Sequence, residues 1–199
     1  MKPYADVPGF RPGGPIDLAA ISGGAADLEL EIGFGRGRFA LERAASNPRA
    51  FVLGVETRRK YVHTAAVRAA ARGLCNVVFR HGDAREIVAR LEPDGCLSRV
   101  FVNFPDPWWK ARHAKRAVVS AALIGEVARL LRSHGELFVQ TDVEERAEAF
   151  RGALASEPRL VPAVPGGLVD ANPFAAVSSR EQRCLEAGVP IFRLRYLRV

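Results

Sequence analysis

Short apolar runs alternate with longer stretches of helical periodicity along most of this chain. The apolar runs, several of them rich in β-branched residues, predict strands at 28–32, 51–55, 76–80, 99–104, 136–141, 160–164 and 189–197. Helical patterns and helix-ending signals predict helices at 38–46, 57–72, 83–91, 118–132 and 143–155. Repeated strand–helix units with short connections indicate a parallel sheet that is covered by helices on both faces.

The order of these elements predicts a doubly wound, Rossmann-like α/β fold. Connections between parallel strands are right-handed, which limits the topologies that this order allows. We expect a mostly parallel sheet with an antiparallel C-terminal strand. In folds of this class, ligands bind beyond the carboxyl ends of the strands, so the side chains that follow each strand are candidates for a functional site.

Residues 1–26 differ in composition from the rest of the chain. They are rich in glycine, proline and alanine and lack the alternation of strands and helices. We interpret them as a flexible N-terminal arm. Residues 27–199 are then a single domain, which is the number of domains expected for a chain of 199 residues.

An acidic residue lies at or shortly after the end of each of the first five predicted strands. These residues are Glu31, Glu56, Asp83, Asp106 and Asp142. The carboxyl ends of parallel strands share one edge of the sheet, so we expect the carboxylates to lie near one another. Such regular placement exceeds what a solvated surface would produce, and it favours a ligand site.

A glycine-rich turn follows the first predicted strand, with Gly33, Gly35 and Gly37 at alternate positions. Glycines let a backbone turn tightly and approach a ligand closely. A dinucleotide fingerprint would read G-x-G-x-x-G, so this spacing disfavours a nicotinamide dehydrogenase. Glu31, two residues before the first glycine, instead suits S-adenosylmethionine, which carries an ammonium and a sulfonium and no phosphate.

Two further acids fit the nucleoside part of such a cofactor. Glu56 stands where nucleoside-binding folds place an acceptor for ribose hydroxyls. Asp83, which is followed by Ala84, can accept a hydrogen bond from an adenine amino group. An ordinary strand-to-helix turn with exposed acids is the alternative, and the occurrence of all three acids in sequence favours the cofactor.

The segment at 101–116, FVNFPDPWWKARHAKR, combines a carboxylate, two tryptophans and a basic stretch. Prolines on both sides of Asp106 restrict the backbone and favour a fixed position for its carboxylate. Of Trp108 and Trp109, we expect one to pack in the core, and stacking on a base is open to the other. The basic stretch contains no acid and suits phosphate groups through Lys110, Arg112, His113, Lys115 and Arg116.

Two polar segments nearer the C-terminus are candidates for a substrate pocket. Gln140-Thr141-Asp142 closes the fifth predicted strand. The other segment precedes the last strand and consists of Ser178, Ser179, Arg180 and Glu181. A polar loop is the ordinary interpretation of the second segment.

The charge balance favours an anionic partner. Lys and Arg total 29 against 22 acids, which gives a net charge of +7 and a pI near 9.9, so RNA or DNA is the first candidate. Three widely spaced cysteines without a C-x-x-C pair favour a reducing cytoplasm and argue against disulfides and a zinc site. We expect no metal, and no apolar run is long enough to span a membrane.

These motifs together resemble the bacterial tRNA (guanine-N7-)-methyltransferase family over roughly residues 28–198. They are E-I-G-F-G-R-G at 31–37, G-V-E at 54–56, D-A at 83–84, F-P-D-P-W-W-K-A-R-H-A-K-R at 104–116, T-D at 141–142 and S-x-x-E at 178–181. The resemblance implies a class I methyltransferase fold, S-adenosylmethionine as cofactor, and guanosine-46 in the variable loop of tRNA as substrate.

The resemblance also implies roles for individual residues. The acids Glu31, Glu56, Asp83 and Asp106 would contact the cofactor, and Asp106 would also lie at the catalytic centre. The substrate would be contacted by Lys110, Asp142 and residues 178–181.

Two other functions stay open at this point. One is methyl transfer to another RNA base nitrogen, because Asn103-Phe104-Pro105 is faintly similar to the N-P-P-Y loop of enzymes that act on exocyclic nitrogens. The other is a non-catalytic tRNA-binding module on the same fold. We expect no membrane and no obligatory protein partner, and either a monomer or a homodimer.

Overall fold

The structure is a computed structural model that describes residues 4–106 and 119–199. The strands are β1 (Ile16–Asp17), β2 (Asp27–Ile32), β3 (Ala50–Glu56), β4 (Val77–His81), β5 (Leu91–Glu92), β6 (Leu97–Asn103), β7 (Leu131–Thr141), β8 (Leu160–Pro162) and β9 (Phe192–Arg198). The helices are α1 (Leu18–Ser22), α2 (Arg38–Ser46), α3 (Arg59–Ala71), α4 (Ala84–Val88), α5 (Ala121–Leu130), α6 (Glu144–Ala155) and α7 (Ser179–Ala187).

The main sheet has the strand order β4-β3-β2-β6-β7-β9-β8. The pairs from β4 to β7 are parallel, and β9 is antiparallel to both β7 and β8. The predicted doubly wound α/β fold with an antiparallel C-terminal strand is therefore confirmed. All residues of β3 are buried, which matches the continuous apolar run that a central parallel strand requires.

The order in which strands are added to the sheet reverses at β2, whose two neighbours are β3 and β6. From β2 the chain proceeds outward to β3 and β4, and it then returns to the other side of β2 with β6. The connections that follow β2 and β6 lead to strands on opposite sides of this switch point, and a crevice forms between them. The predicted site residues after these strands therefore face a common space.

Residues 1–26 were predicted to be a flexible arm, and the described part of this arm, residues 4–26, makes several contacts with the domain. Val7 is buried among side chains of α2 and α3, and β1 pairs with β5 in a small parallel sheet. The Arg90 guanidinium donates to the carbonyl oxygens of Arg11, Gly13 and Gly14 at 2.6–2.8 Å. One arginine thus holds a glycine-rich turn that has few side chains of its own to pack.

Helix α7 was not predicted from the apolar pattern, and neither were the short elements β1, α1 and β5. Ser178 accepts from the backbone N–H of Glu181, and the Glu181 carboxylate accepts from the backbone N–H of Ser178. This reciprocal arrangement is a capping box. The polar segment at 178–181 is therefore the first turn of a helix, rather than a loop.

Among the described residues, no helix is long and apolar enough to cross a membrane. The same residues contain no group of His, Cys, Asp and Glu side chains that could hold a metal ion.

Candidate functional site

A cleft of about 1050 Å³ opens at the carboxyl ends of the central strands. The glycine turn after β2 lies on one side of it, and the N-terminal turn of α7 lies on the other. All the acids that follow the predicted strands line this cleft: Glu31, Glu56, Asp83, Asp106 and Asp142. The structure therefore brings together the carboxylates that the sequence places at successive strand ends.

Glu31 lies at the floor of the cleft and is buried. Its carboxylate accepts from the backbone N–H of Ala40 at 3.1 Å and from Nδ2 of Asn103 at 2.9 Å. No ion pair to Glu31 is found within residues 4–106 and 119–199. Burial is the main cause that raises the pKa of Glu31 from 4.5 to about 7. The cleft thus contains a buried carboxyl group that has no cationic partner in the part of the chain that the structure describes.

The glycine turn leaves open space beside this carboxylate. Gly33 and Gly35 have positive φ values of 70° and 56°, and a Cβ at either position would meet no atom within 4 Å. A ligand can therefore approach this backbone closely. Gly37 does not line the cleft, because it faces α3, where a Cβ would lie 2.7 Å from Cβ of Ala65. Its role in the structure is to let α2 begin close to α3.

Glu56 connects β3 to the glycine turn. One carboxylate oxygen accepts from the backbone N–H of Gly35 at 3.0 Å, and the other accepts from the Thr57 hydroxyl and the Arg58 N–H. A carboxylate offers about four lone-pair sites, so one of them stays available to a ligand. Glu56 can therefore hold the turn and still accept a further hydrogen bond.

Asp83 and Ala84 begin α4 at the rim of the cleft. Asp83 accepts from the backbone N–H of Arg85 at 3.0 Å and forms an ion pair with the Arg85 guanidinium. The hydrogen bonds from this guanidinium hold the pKa of Asp83 below its usual range. Its carboxylate is therefore ionised at neutral pH and fixed at the N-terminus of the helix.

Asp106 is the most exposed of these acids, with 64% of its side chain accessible. Its carboxylate lies 3.7 Å from Nη2 of Arg58, which in turn packs over the ring of Tyr61 at 5.4 Å. Several predicted residues lie outside the described residues: Trp108, Trp109, Lys110, Arg112, His113, Lys115 and Arg116.

The opposite wall of the cleft is formed by Asp142 and the start of α7. Asp142 forms an ion pair with Arg180, whose Nε donates at 2.9 Å. Arg180 lines the cleft together with Ser178 and Ser179. Two predicted substrate residues that are far apart in sequence, Asp142 after β7 and Arg180 on α7, are thus neighbours in the structure.

Glu181 lies behind this wall and does not line the cleft. It is buried and accepts hydrogen bonds from Gln140 at 3.0 Å, Asn172 at 3.0 Å and Arg193 at 3.3 Å. Its predicted direct contact with a substrate would need this network to open. The structure instead shows Glu181 holding the first turn of α7.

Sequence reasoning missed some side chains around the cleft. Asn103 donates to Glu31, and Arg36, Arg38 and Arg183 line the cleft walls. The arginines had no sequence signal beyond the general excess of positive charge. The capping role of Glu181 did have a sequence signal, because Ser178-x-x-Glu181 has the spacing of a capping box.

Comparison with known proteins identifies the family to which the chain belongs. A family model described as "Putative methyltransferase" matches residues 25–194. The solved structure of the 16S rRNA methyltransferase KamB shares the fold, with a TM-score of 0.62, 17% identity, and coverage of 96% of this chain and 98% of that one.

Two curated relatives are more similar in sequence. A tRNA (guanine-N(7)-)-methyltransferase of Synechococcus sp. (strain JA-3-3Ab) is 39% identical over 83% of this chain and 70% of that protein. One from Anaeromyxobacter dehalogenans (strain 2CP-C) is 38% identical over 86% of this chain and 85% of that protein. At this identity and coverage, the chain belongs to the tRNA (guanine-N(7)-)-methyltransferase family.

Proposed function

We propose that this protein transfers a methyl group from S-adenosylmethionine to N7 of guanosine-46 in the variable loop of tRNA, in the cytoplasm. The observation that carries the proposal is the cleft lined by acids, in which Glu31 is buried and has no cationic partner among the described residues. The names of the two relatives support guanine N7 of tRNA as the target. The basic character of the chain, with a net charge of +7, supports an RNA substrate.

The residues of the cleft fit S-adenosylmethionine. The buried Glu31 carboxylate suits the ammonium of the cofactor, and Gly33 and Gly35 leave room for its amino-acid part. Glu56 has an acceptor site left for a ribose hydroxyl, and Asp83 with Ala84 would contact the adenine. The cluster of carboxylates suits a net-cationic ligand better than a dinucleotide, whose phosphates they would repel.

The proposed reaction does not require the protein to transfer a proton. When bound, the cofactor supplies an electrophilic methyl group on its sulfonium sulfur. Guanine N7 has a lone pair and no proton, so attack on that methyl needs no general base. What remains for the protein is to align N7 with the methyl group, and such alignment contributes up to about 7–11 kcal/mol in favourable cases.

The carboxylates that line the cleft support a role where charge would develop in this reaction. The guanine ring becomes positive as N7 is methylated, and a fixed negative group near it stabilises the transition state. Asp106 is the proposed catalytic residue, and Asp142, which is paired with Arg180, lines the same cleft. Both line the same cleft as Glu31, so the methyl donor and the base would meet between them.

Arginines at the mouth of the cleft suit the tRNA backbone. Arg36 in the glycine turn and Arg183 on α7 line the cleft and have no carboxylate partner among residues 4–106 and 119–199. Phosphate contacts position nucleic acids without reading sequence. We place further contacts on the basic stretch, at Lys110, Arg112, His113, Lys115 and Arg116.

The test is methyl transfer from labelled S-adenosylmethionine to unmodified tRNA, with the product digested and its nucleosides identified. The expected product is 7-methylguanosine, and it should disappear when the guanosine at position 46 is replaced. A different labelled nucleoside would contradict the proposed target, and binding of tRNA without any transfer would indicate a non-catalytic module. Asp106→Asn should lower kcat by roughly 10²–10³, the loss typical for one electrostatic group that acts on the transition state.

A further inference from the structure

A row of buried polar side chains crosses the sheet beneath the cleft. Asn103 on β6 is the register partner of Gln140 on β7, and Gln140 is the register partner of Arg193 on β9. All three are buried, and the side chain of Gln140 is fully inaccessible. Polar side chains in the interior of a central parallel sheet are unusual, because these positions normally hold aliphatic residues.

The hydrogen bonds in this row connect two carboxylates. Nδ2 of Asn103 donates to Glu31 at 2.9 Å. Nε2 of Gln140 donates to Oδ1 of Asn103 at 2.8 Å and to Glu181 at 3.0 Å. The chain therefore begins at the floor of the cleft, at Glu31, and ends at the carboxylate that holds the first turn of α7.

We propose that Asn103 and Gln140 are positioning residues, which hold the Glu31 carboxylate for the cofactor and the α7 wall for the substrate. They do so through one continuous chain of hydrogen bonds from Glu31 through Asn103 and Gln140 to Glu181, which we call the relay. The part that concerns cofactor and substrate rests on the proposed function. The relay itself is a statement about this chain, and it can be tested without any ligand.

The direction of the hydrogen bonds explains how one link controls the next. Gln140 donates to the oxygen of Asn103 and so favours the orientation in which the Asn103 NH₂ group faces Glu31. That orientation favours the ionised form of Glu31, which can only accept. Without Gln140, the amide can rotate and present its oxygen to a protonated Glu31, which favours the neutral form.

Gln140 is kept at some cost to stability. Both of its N–H groups are used, whereas its buried Oε1 has no hydrogen-bond partner among the described residues. A buried acceptor without a partner destabilises a fold, and an aliphatic side chain would avoid this. Its presence at the centre of the sheet, with both N–H groups engaged, therefore points to a role beyond packing.

Other charged groups near Glu31 leave Asn103 as the side-chain donor that favours its charge. Glu56 on β3 raises the pKa of Glu31, whereas the hydrogen bond from Asn103 lowers it. On α2, Arg38 forms an ion pair with Glu42, and Arg43 forms one with Glu29. Loss of the Asn103 donor should thus shift the titration of Glu31 to higher pH.

The first experiment follows the ¹³C signal of the Glu31 carboxyl group during a pH titration of the cofactor-free protein. Asn103→Leu removes the donor directly, and Gln140→Met removes only the group that orients it. We expect both variants to titrate at higher pH than the unsubstituted protein. Ser98→Ala is the matched control, since Ser98 is also buried on β6 and its hydroxyl donates to the Leu28 carbonyl, outside the relay. It should leave the titration unchanged.

The second experiment measures S-adenosylmethionine affinity by calorimetry and steady-state methyl transfer to tRNA. At pH 7 both relay variants should bind the cofactor roughly tenfold more weakly, the lower end for a hydrogen bond to a charged group, and the deficit should shrink towards about pH 9. Gln140→Met should also raise KM for tRNA more than it lowers kcat, because it loosens the α7 wall. Asn103→Leu should leave that KM near normal.

A folded Gln140→Met protein whose Glu31 titrates as in the unsubstituted protein would overturn the relay. If Gln140→Met does not fold, Gln140→Leu decides in the same way, by the titration of Glu31. Failure of the unsubstituted protein to bind S-adenosylmethionine would contradict the proposed function instead, and the titration result would still stand.

Discussion

Glu29 and Glu31 are two residues apart on β2, point to the same face of the sheet, and are each 1% exposed, yet they have different partners. Glu29, towards the amino end, is paired with Arg43 at 2.5 Å and with Arg99 at 3.0 Å. Glu31, at the carboxyl end, receives hydrogen bonds among the described residues from the backbone N–H of Ala40 and the side-chain amide of Asn103. The same side chain thus has two cationic partners at one end of the strand and, among the described residues, none at the other.

This difference separates a carboxylate that is paired within the protein from one that the proposed function assigns to a ligand. A buried charge is tolerated when an opposite charge lies against it, and Glu29 meets that condition through Arg43 and Arg99. Glu31 has no such partner among the described residues, and under the proposed function a bound cation would supply it. The ionised form of Glu31 therefore costs stability until that cation binds, whereas the charge of Glu29 is balanced within the fold.

The largest effect should come from removing the charge of Glu29. Glu29→Gln leaves the buried Arg43 without its counter-charge, and breaking such a pair typically costs about 3–5 kcal/mol. Urea unfolding followed by circular dichroism measures this loss. Methyl transfer per folded molecule should stay near normal, because Glu29 lies at the other end of β2 from the cleft.

A double variant tests whether the lost charge balance is the cause. Glu29→Leu combined with Arg43→Met removes both charges, and it should recover most of the stability. If Glu29→Gln unfolds at the same urea concentration as the unsubstituted protein, the structural half of the comparison is wrong.

The same substitution at Glu31 should have the opposite effect on stability. The pKa of Glu31 is raised from 4.5 to about 7, so between these pH values the native state binds more protons than the unfolded state. Stability therefore falls as pH rises through this window, by about 3 kcal/mol in total, and the penalty stays constant above it. Glu31→Gln removes this penalty.

The measurement is the difference in unfolding free energy between Glu31→Gln and the unsubstituted protein from about pH 4.5 to about pH 8, across the titration. It should grow in favour of the variant with rising pH. A difference that does not change with pH would show that Glu31 is ionised throughout this range.

Cofactor binding should show the functional side of the comparison. Under the proposed function, Glu31→Gln removes the negative charge that would face the ammonium of S-adenosylmethionine, and loss of a charge-assisted hydrogen bond costs about 1.5–3 kcal/mol, or roughly ten- to a hundredfold in affinity. Calorimetric titration at about pH 8, where Glu31 is ionised, measures it. Glu29→Gln is the control with the same change in charge, and equal losses in the two variants would remove the distinction between them.

The sequence predicts much of this picture, because strand order and acids at strand ends are local patterns. Glu31, Glu56 and Asp83 could be chosen from one strand–turn–helix unit each. The partners of Glu31 and Glu29 could not be predicted, since Asn103 and Arg99 reach them across the sheet only after the strands pair in register. For the same reason, the sequence suggested Glu181 as a contact rather than as part of a buried network.

The smallest predicted effect concerns arginines at the two ends of the sheet. Arg36 lines the carboxyl-end cleft, and Arg49 lines a second cleft of about 740 Å³ at the amino end. Both are exposed, and replacing either with glutamine lowers the net charge by one. If tRNA lies only over the carboxyl end, Arg36→Gln should weaken binding and reduce the slope of log K against log salt by about 1.

Arg49→Gln is the matched control, and it should leave that slope unchanged. A filter-binding salt titration of both variants against the same tRNA measures the two slopes side by side. Equal reductions would mean that the tRNA also contacts the amino end. In that case the arginines there would serve both the buried acids and the substrate, and the division of the molecule into a structural end and a functional end would fail.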